Sequence, residues 1–288
     1  MHKNLGRLAI KDIKENESKV NKIFKSISEG KIDHAKKAII KLLSTPNYYV
    51  RELIGKKLVD FPNGDLMDQI ILDMLGHKIY GVRAAIIFYY YLKYHHEPLK
   101  IISLLDMSWE DTPWEVEHIL SEMWGKYPEI MKKEMTKWSK SQFEKQRAFS
   151  YHGMETIAES DPFFIYDLLS KNIDDVGIEV QKKISNLLFC VALKRPAESY
   201  PFIRQLLLKP NERRIKTITT TMKRLLNQAL SSKNEKNTKN DFYLLTLQTV
   251  KDWKDDPSKE ISVLGKKLYE WSKNPENIKQ DLIDENMA

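Results

Sequence analysis

Tyr48-Tyr49-Val50-Arg51-Glu52-Leu53-Ile54-Gly55-Lys56-Lys57-Leu58 decides how this chain folds, because it is the first member of a series. Its apolar residues fall at helical rather than alternating spacing, and an apolar residue is followed by Arg near the expected helix start. The same arrangement returns in Ile79-Tyr80-Gly81-Val82-Arg83-Ala84-Ala85-Ile86, and its register recurs at Val116-Glu117, Gln146-Arg147, Val180-Gln181 and Ile215-Lys216. The second members stand at 51, 83, 117, 147, 181 and 216, steps of 30 to 35 residues. Near the end, Val263-Leu264-Gly265-Lys266-Lys267-Leu268 echoes Leu53 to Leu58. A period of that length holding two helices is the signature of an α-solenoid. The expected fold is all-α, a right-handed α-solenoid of six or seven helix pairs.

The segments between these helices fit the scheme. Gly64-Asp65, Glu97-Pro98, Tyr127-Pro128, Asp161-Pro162 and Arg195-Pro196 each open a shorter apolar-periodic run. Proline suits a first helical turn and breaks a helix interior, so these positions mark corners between helices. The first helix is expected over Ala9 to Ile27 with Gly30 past its end, and Asp33 is placed to cap the next. Residues 231–240 contain no apolar side chain and read as a mobile loop; 274–288 read as a polar tail. The organisation expected is a single repeat domain over 1–288.

Lys and Arg number 47 against 40 Asp and Glu, giving a net charge of +7 and a pI near 9.1, which favours an anionic partner. Cys190 is the one cysteine, so no intrachain disulfide forms and a reducing, cytoplasmic setting is expected. It lies in the apolar run Leu187 to Leu193 and reads as a core residue. Met1-His2-Lys3-Asn4 lacks the apolar stretch of a signal peptide, and no apolar run is long enough to span a bilayer. No membrane partner is expected, and the chain reads as a monomer.

One stretch combines chemistry with a helix start. Trp109-Glu110-Asp111-Thr112-Pro113-Trp114-Glu115-Val116-Glu117 holds two indoles and four carboxylates. Thr112 can cap a helix beginning at Pro113, and Glu115 and Glu117 would then face the positive end of its dipole. The same residues could equally form an acidic and aromatic pocket beside a basic groove.

The repeat register resembles HEAT repeats, in which Asp or Asn precedes a Val–Arg pair, as Asn47 and Asp175 do here. More narrowly, residues 45 to 225 resemble the HEAT-like alkylpurine DNA glycosylases of the DNA alkylation repair family. That family carries Trp-Asp-x-Val-Asp with a catalytic final Asp; here Trp114-Glu115-Val116-Glu117 is one residue shorter and carries Glu. The resemblance implies Glu117 as the catalytic acid, with Asp111 or Glu115 as alternatives, and Trp109 and Trp114 as pocket aromatics. It also carries Arg147 over as a residue near the DNA backbone. Val180-Gln181-Lys182-Lys183-Ile184-Ser185-Asn186-Leu187 resembles the Val-Arg-Lys-Ser-Val-Ala-Asn-Leu signature of one branch.

What this implies is DNA binding in repair, with excision of cationic alkylated bases as the candidate enzymatic activity. A cationic base is already a good leaving group, so what helps is a carboxylate near the oxocarbenium-like sugar and an aromatic face for the base. Arg147, Lys182, Lys183, Arg213, Arg214 and Lys216 are the expected duplex-DNA contacts. Arg51 and Arg83 fit two roles, a phosphate contact or a pairing with an acid of the neighbouring repeat. A non-catalytic binder of unusual DNA structures and a protein-binding scaffold are the alternatives. His118 and Glu122, four apart, are too few for a metal site, and no cofactor motif is present. Tyr89-Tyr90-Tyr91 read as core.

Overall fold

The computed structural model describes residues 9–232 and 241–273, and among them every regular element is helical. In order these are α1 (Ile10–Ser28), α2 (Ile32–Leu43), α3 (Tyr48–Lys57), α4 (Gly64–Ile71), α5 (Tyr80–Lys93), α6 (Pro98–Ser108) and α7 (Pro113–Lys126). There follow α8 (Pro128–Trp138), α9 (Glu144–Phe149), α10 (Pro162–Asn172), α11 (Ile178–Lys194), α12 (Pro196–Leu207), α13 (Glu212–Ser232), α14 (Asp241–Lys254) and α15 (Lys259–Ser272). The chain divides into two compact units, Met1–Met123 and Trp124–Ala288. Within the first, α3 packs on α5 while α2 touches both; within the second, α9, α11 and α13 pack in succession, and α12 contacts α11, α13 and α14. This alternation of neighbouring helices is solenoid-like. Ser231 and Ser232 of the expected loop belong to α13; the rest of that loop and the polar tail lie outside the described residues.

The corner residues act largely as their chemistry dictates. Pro98, Pro113, Pro128, Pro162 and Pro196 each begin a helix, where a missing N–H costs nothing. Gly30 adopts φ 74° past the end of α1, and Lys31 N–H reaches back to the Ser26 carbonyl at 2.9 Å. One expectation needs correction. Asp33 lies inside the first turn of α2, whose cap is Lys31, so the carboxylate meets the dipole instead of capping. Pro201 lies inside α12, on its exposed side, where water can serve the carbonyl that loses its helical donor.

The recurring basic position is a loop staple. Arg51 Nη1 donates to the carbonyls of Pro46 (2.8 Å) and Thr45 (3.3 Å), and Arg83 Nη1 to that of His77 (2.6 Å). Arg147 Nη1 binds the Ser141 and Gln142 carbonyls, Gln181 Nε2 those of Asp175 and Ile173, and Arg214 Nη1 those of Lys209 and Leu206. Carbonyls in a tight corner have no helical donor, and a side chain with several N–H groups satisfies them from the following helix. The last register position is therefore 214, where Lys216 was expected. Asn211 accepts from Arg214 N–H at 2.9 Å and sets the start of α13, which turns residue 214 toward the loop. Glu117 has no donor for such a staple.

Core burial follows the periodicity. Val82 and residues Ala84 to Tyr91 of α5 are almost fully enclosed, and Tyr89 donates its hydroxyl to Asp68 at 2.8 Å. At about 25 cal/mol per Å² of apolar surface, this helix contributes several kcal/mol to its unit.

The echo between Gly55 and Gly265 has a packing cause. A Cβ on Gly55 would lie 2.1 Å from the Ala85 carbonyl oxygen of α5, and one on Gly265 2.4 Å from backbone atoms of Lys254 and Trp253. Alanine would gain about 1 kcal/mol of helix propensity, yet the facing backbone must retreat, and overpacking costs about 1–3 kcal/mol. Gly55→Ala and Gly265→Ala are each expected to lower the thermal midpoint by a few degrees. Gly125→Ala, with no described atom within 4 Å of the added carbon, serves as the neutral or stabilising control; equal behaviour of all three would refute the close-approach account.

Candidate functional site

The Trp109–Glu117 stretch folds as a helix start with its carboxylates sent to different places. Val116 N–H bonds the Thr112 carbonyl at 3.1 Å, and the buried Thr112 hydroxyl turns back to donate to the Ser108 carbonyl. Glu115 is fully enclosed, and its two oxygens accept from Arg51 Nη2 (3.1 Å) and from the Tyr80 hydroxyl (2.6 Å). Burial, reinforced by that bond to Glu115, pushes the Tyr80 phenol well above its ordinary pKa. Asp111 is exposed, Glu117 half-buried, Trp109 half-buried at the end of α6, and Trp114 is 70% exposed. Trp114 and Glu117, three residues apart on α7, are surface neighbours on the helix.

The six cations expected at DNA divide in the same way. Arg147 forms a two-pronged pair with Asp175, Nε at 2.7 Å and Nη2 at 3.0 Å, while Arg214 grips Asp174 with Nε and Nη2. Burial raises the carboxyl of Asp175, but Arg147, the Gly177 N–H and the charge of Arg213 outweigh it and hold the pKa below the usual range. Arg147 is correspondingly pushed up by its bond to Asp175. Lys183 Nζ lies 3.0 Å from His152 Nδ1. Lys182 is exposed and pairs with Glu179 one turn earlier at 3.0 Å, a contact of little energy in water. Arg213 and Lys216 are exposed and show no ion pair among the described residues. A hydrogen bond from Thr217 to Gln181 joins α13 to α11 and so sets Lys216 and Lys182 beside the same crossing.

A cluster that spacing alone did not assemble surrounds His118. Its Nε2 is 3.0 Å from Glu122 Oε1 and 3.7 Å from Glu52 Oε1, and Lys56 Nζ sits 2.7 Å from Glu52. Tyr91 donates to Glu122, and the rings of Phe88 and Tyr48 lie 5.6 and 6.0 Å from the imidazole. The pairs Glu52–Lys56 and His118–Glu122 are each readable at four-residue spacing; their meeting depends on how α3 and α7 are set together, with Phe88 and Tyr91 of α5 between them. This network cross-braces the unit. Among the described residues no group of three or more His, Cys, Asp or Glu is arranged to hold a metal ion, and no described helix is long and apolar enough to cross a membrane. Burial raises the Cys190 thiol above its ordinary pKa, which disfavours the reactive thiolate.

No protein-family model matches the chain, and no curated protein matches it. Among solved structures it is similar to an engineered protein from the Northeast Structural Genomics Consortium, at 12% identity, with 85% of this chain and 96% of that chain covered. The TM-score is 0.28, and a likeness at that level carries no argument about fold or function.

Proposed function

We propose that this chain binds double-stranded DNA through its second unit, contacting phosphates rather than reading base edges. The observation that carries this reading is that Lys182, Arg213 and Lys216 stand exposed on the adjoining helices α11 and α13, while Arg147 and Arg214 beside them are consumed by internal pairs. The helices then present exposed cationic side chains, the arrangement suited to a phosphate backbone. Each phosphate contact adds about 0.9 to the slope of log affinity against log salt. The combined Lys182→Ala, Arg213→Ala, Lys216→Ala protein is therefore expected to bind a labelled duplex at least about 10-fold more weakly and to lose between one and three such increments. Titration at two salt concentrations reads both quantities. Unchanged affinity and slope would favour the protein-scaffold reading.

A second reading, excision of cationic alkylated bases, rests on the resemblance of Trp114-Glu115-Val116-Glu117 to the glycosylase motif and on one geometric fact. The exposed Trp114 indole and the Glu117 carboxylate share a face of α7. An indole face attracts a cationic base, and a nearby carboxylate stabilises the positive sugar that forms as the base leaves. Glu115 does not compete for this part, since its oxygens are enclosed and held by Arg51 and Tyr80.

A further inference from the structure

A groove of about 550 Å³ runs between α1 and α2, lined also by Thr45 and Val50 beyond the end of α2. Its floor is apolar, made by Ile23, Ala38, Leu42 and Val50; its rim carries Lys19, Lys22, His34 and Lys41. Among the described residues no carboxylate lines it. Lys19 is bridged to Glu15 at 2.7 Å, but Lys22, His34 and Lys41 show no ion pair among the described residues. Two other grooves of the same unit are balanced in charge. One sets Glu52 and Asp60 against Lys56 and Lys57, the other Glu17 and Asp60 against Lys25 and Lys57. The α1–α2 groove therefore combines an apolar trough with a border on which Lys22, His34 and Lys41 carry no ion pair among the described residues.

We infer that this groove is a docking site for an acidic amphipathic helix of a partner protein. His34, Ala38 and Leu42 follow one another at four-residue steps along α2, and Lys19, Ile23 and Ser26 run along the facing stripe of α1. A third helix laid in such a trough presents apolar residues at i, i+3, i+4 and i+7 to the floor, and acidic residues on its flanks reach the rim. The charge match supplies selectivity and speeds encounter, while the floor supplies apolar burial. A nucleic-acid backbone matches the rim alone, because it carries no side chain to fill an apolar floor. This surface is in the first unit and its use does not depend on the DNA-binding reading.

The test uses the full chain and a fluorescein-labelled designed peptide of about 18 residues, long enough to form a helix, with leucines at i, i+3, i+4 and i+7 and glutamates on both flanks. Fluorescence anisotropy is expected to show saturable binding. A sequence-scrambled peptide and a peptide with lysine in place of every glutamate are each expected to bind at least 10-fold more weakly. Lys22→Glu combined with Lys41→Glu, both exposed positions, should weaken the acidic peptide at least 10-fold, and Ala38→Trp, which fills the floor, should do the same. Circular dichroism confirms that the variants are folded, and the Lys182→Ala, Arg213→Ala, Lys216→Ala protein is expected to bind the acidic peptide as the parent does, which separates this surface from the second unit. Absence of saturable binding, equal binding of the scrambled peptide, equal binding by both variants, or displacement of the peptide by duplex DNA would each overturn the inference.

Discussion

Glu115→Ala is expected to lower folding stability by about 3–5 kcal/mol, the usual cost of leaving one member of a buried ion pair without its partner. Arg51 is 6% exposed and Glu115 fully enclosed, so water cannot replace the lost carboxylate. The substitution also strips the acceptor from the Tyr80 hydroxyl, 2.6 Å away. Glu115→Gln is expected to cost less, because an amide oxygen still accepts one of the two bonds while the charge disappears. Asp111→Ala, four residues earlier in the same stretch and exposed, should stay within about 0.5 kcal/mol of the parent. Urea denaturation of the three proteins measures these differences; a loss below about 1 kcal/mol for Glu115→Ala would show that the pair contributes little to the fold.

The repeat was legible in the sequence because each staple residue sits at a nearly constant distance from the corner it ties. Its job was not legible. A guanidinium offers the same five donors to loop carbonyls, to a carboxylate and to a phosphate, and only packing shows that Arg51, Arg147 and Arg214 turn inward. The shift of the last staple from 216 to 214 traces to Asn211, which caps α13 and could be recognised as a cap only with the helix start in hand. The fate of Glu115 was closer to readable: four residues before Ile119, it continues the enclosed stripe of Val116, Ile119, Leu120 and Met123, whereas Trp114 points away from it. An acid on an apolar stripe implies a buried partner, but Arg51 lies 64 residues away, and nothing local names it. The groove between α1 and α2 was hidden for a different reason. Each helix alone reads as ordinarily amphipathic, and the excess of positive charge emerges only where their flanks face one another.

Glu117→Gln is expected to preserve the fold and most of the DNA affinity while lowering the release of a cationic methylated base about 10²-fold, because a charge acting on the positive sugar matters chiefly in the transition state. Glu117 is half-buried on the turn of α7 that carries the exposed Trp114, so an uncharged isostere leaves the helix intact. Trp114→Ala should reduce binding and rate together, since the indole supplies contact area as well as attraction for the cation. Asp111→Asn should leave the rate unchanged if Glu117 alone supplies the charge. Glu115→Gln serves as a contrasting control: its loss appears first in stability, and any fall in rate should track the unfolded fraction. Single-turnover release from methylated duplex by each protein separates these effects. Equal rates for parent and Glu117→Gln would remove Glu117 from the chemistry, and no release by the parent protein would leave DNA binding as the function to pursue through Lys182, Arg213 and Lys216.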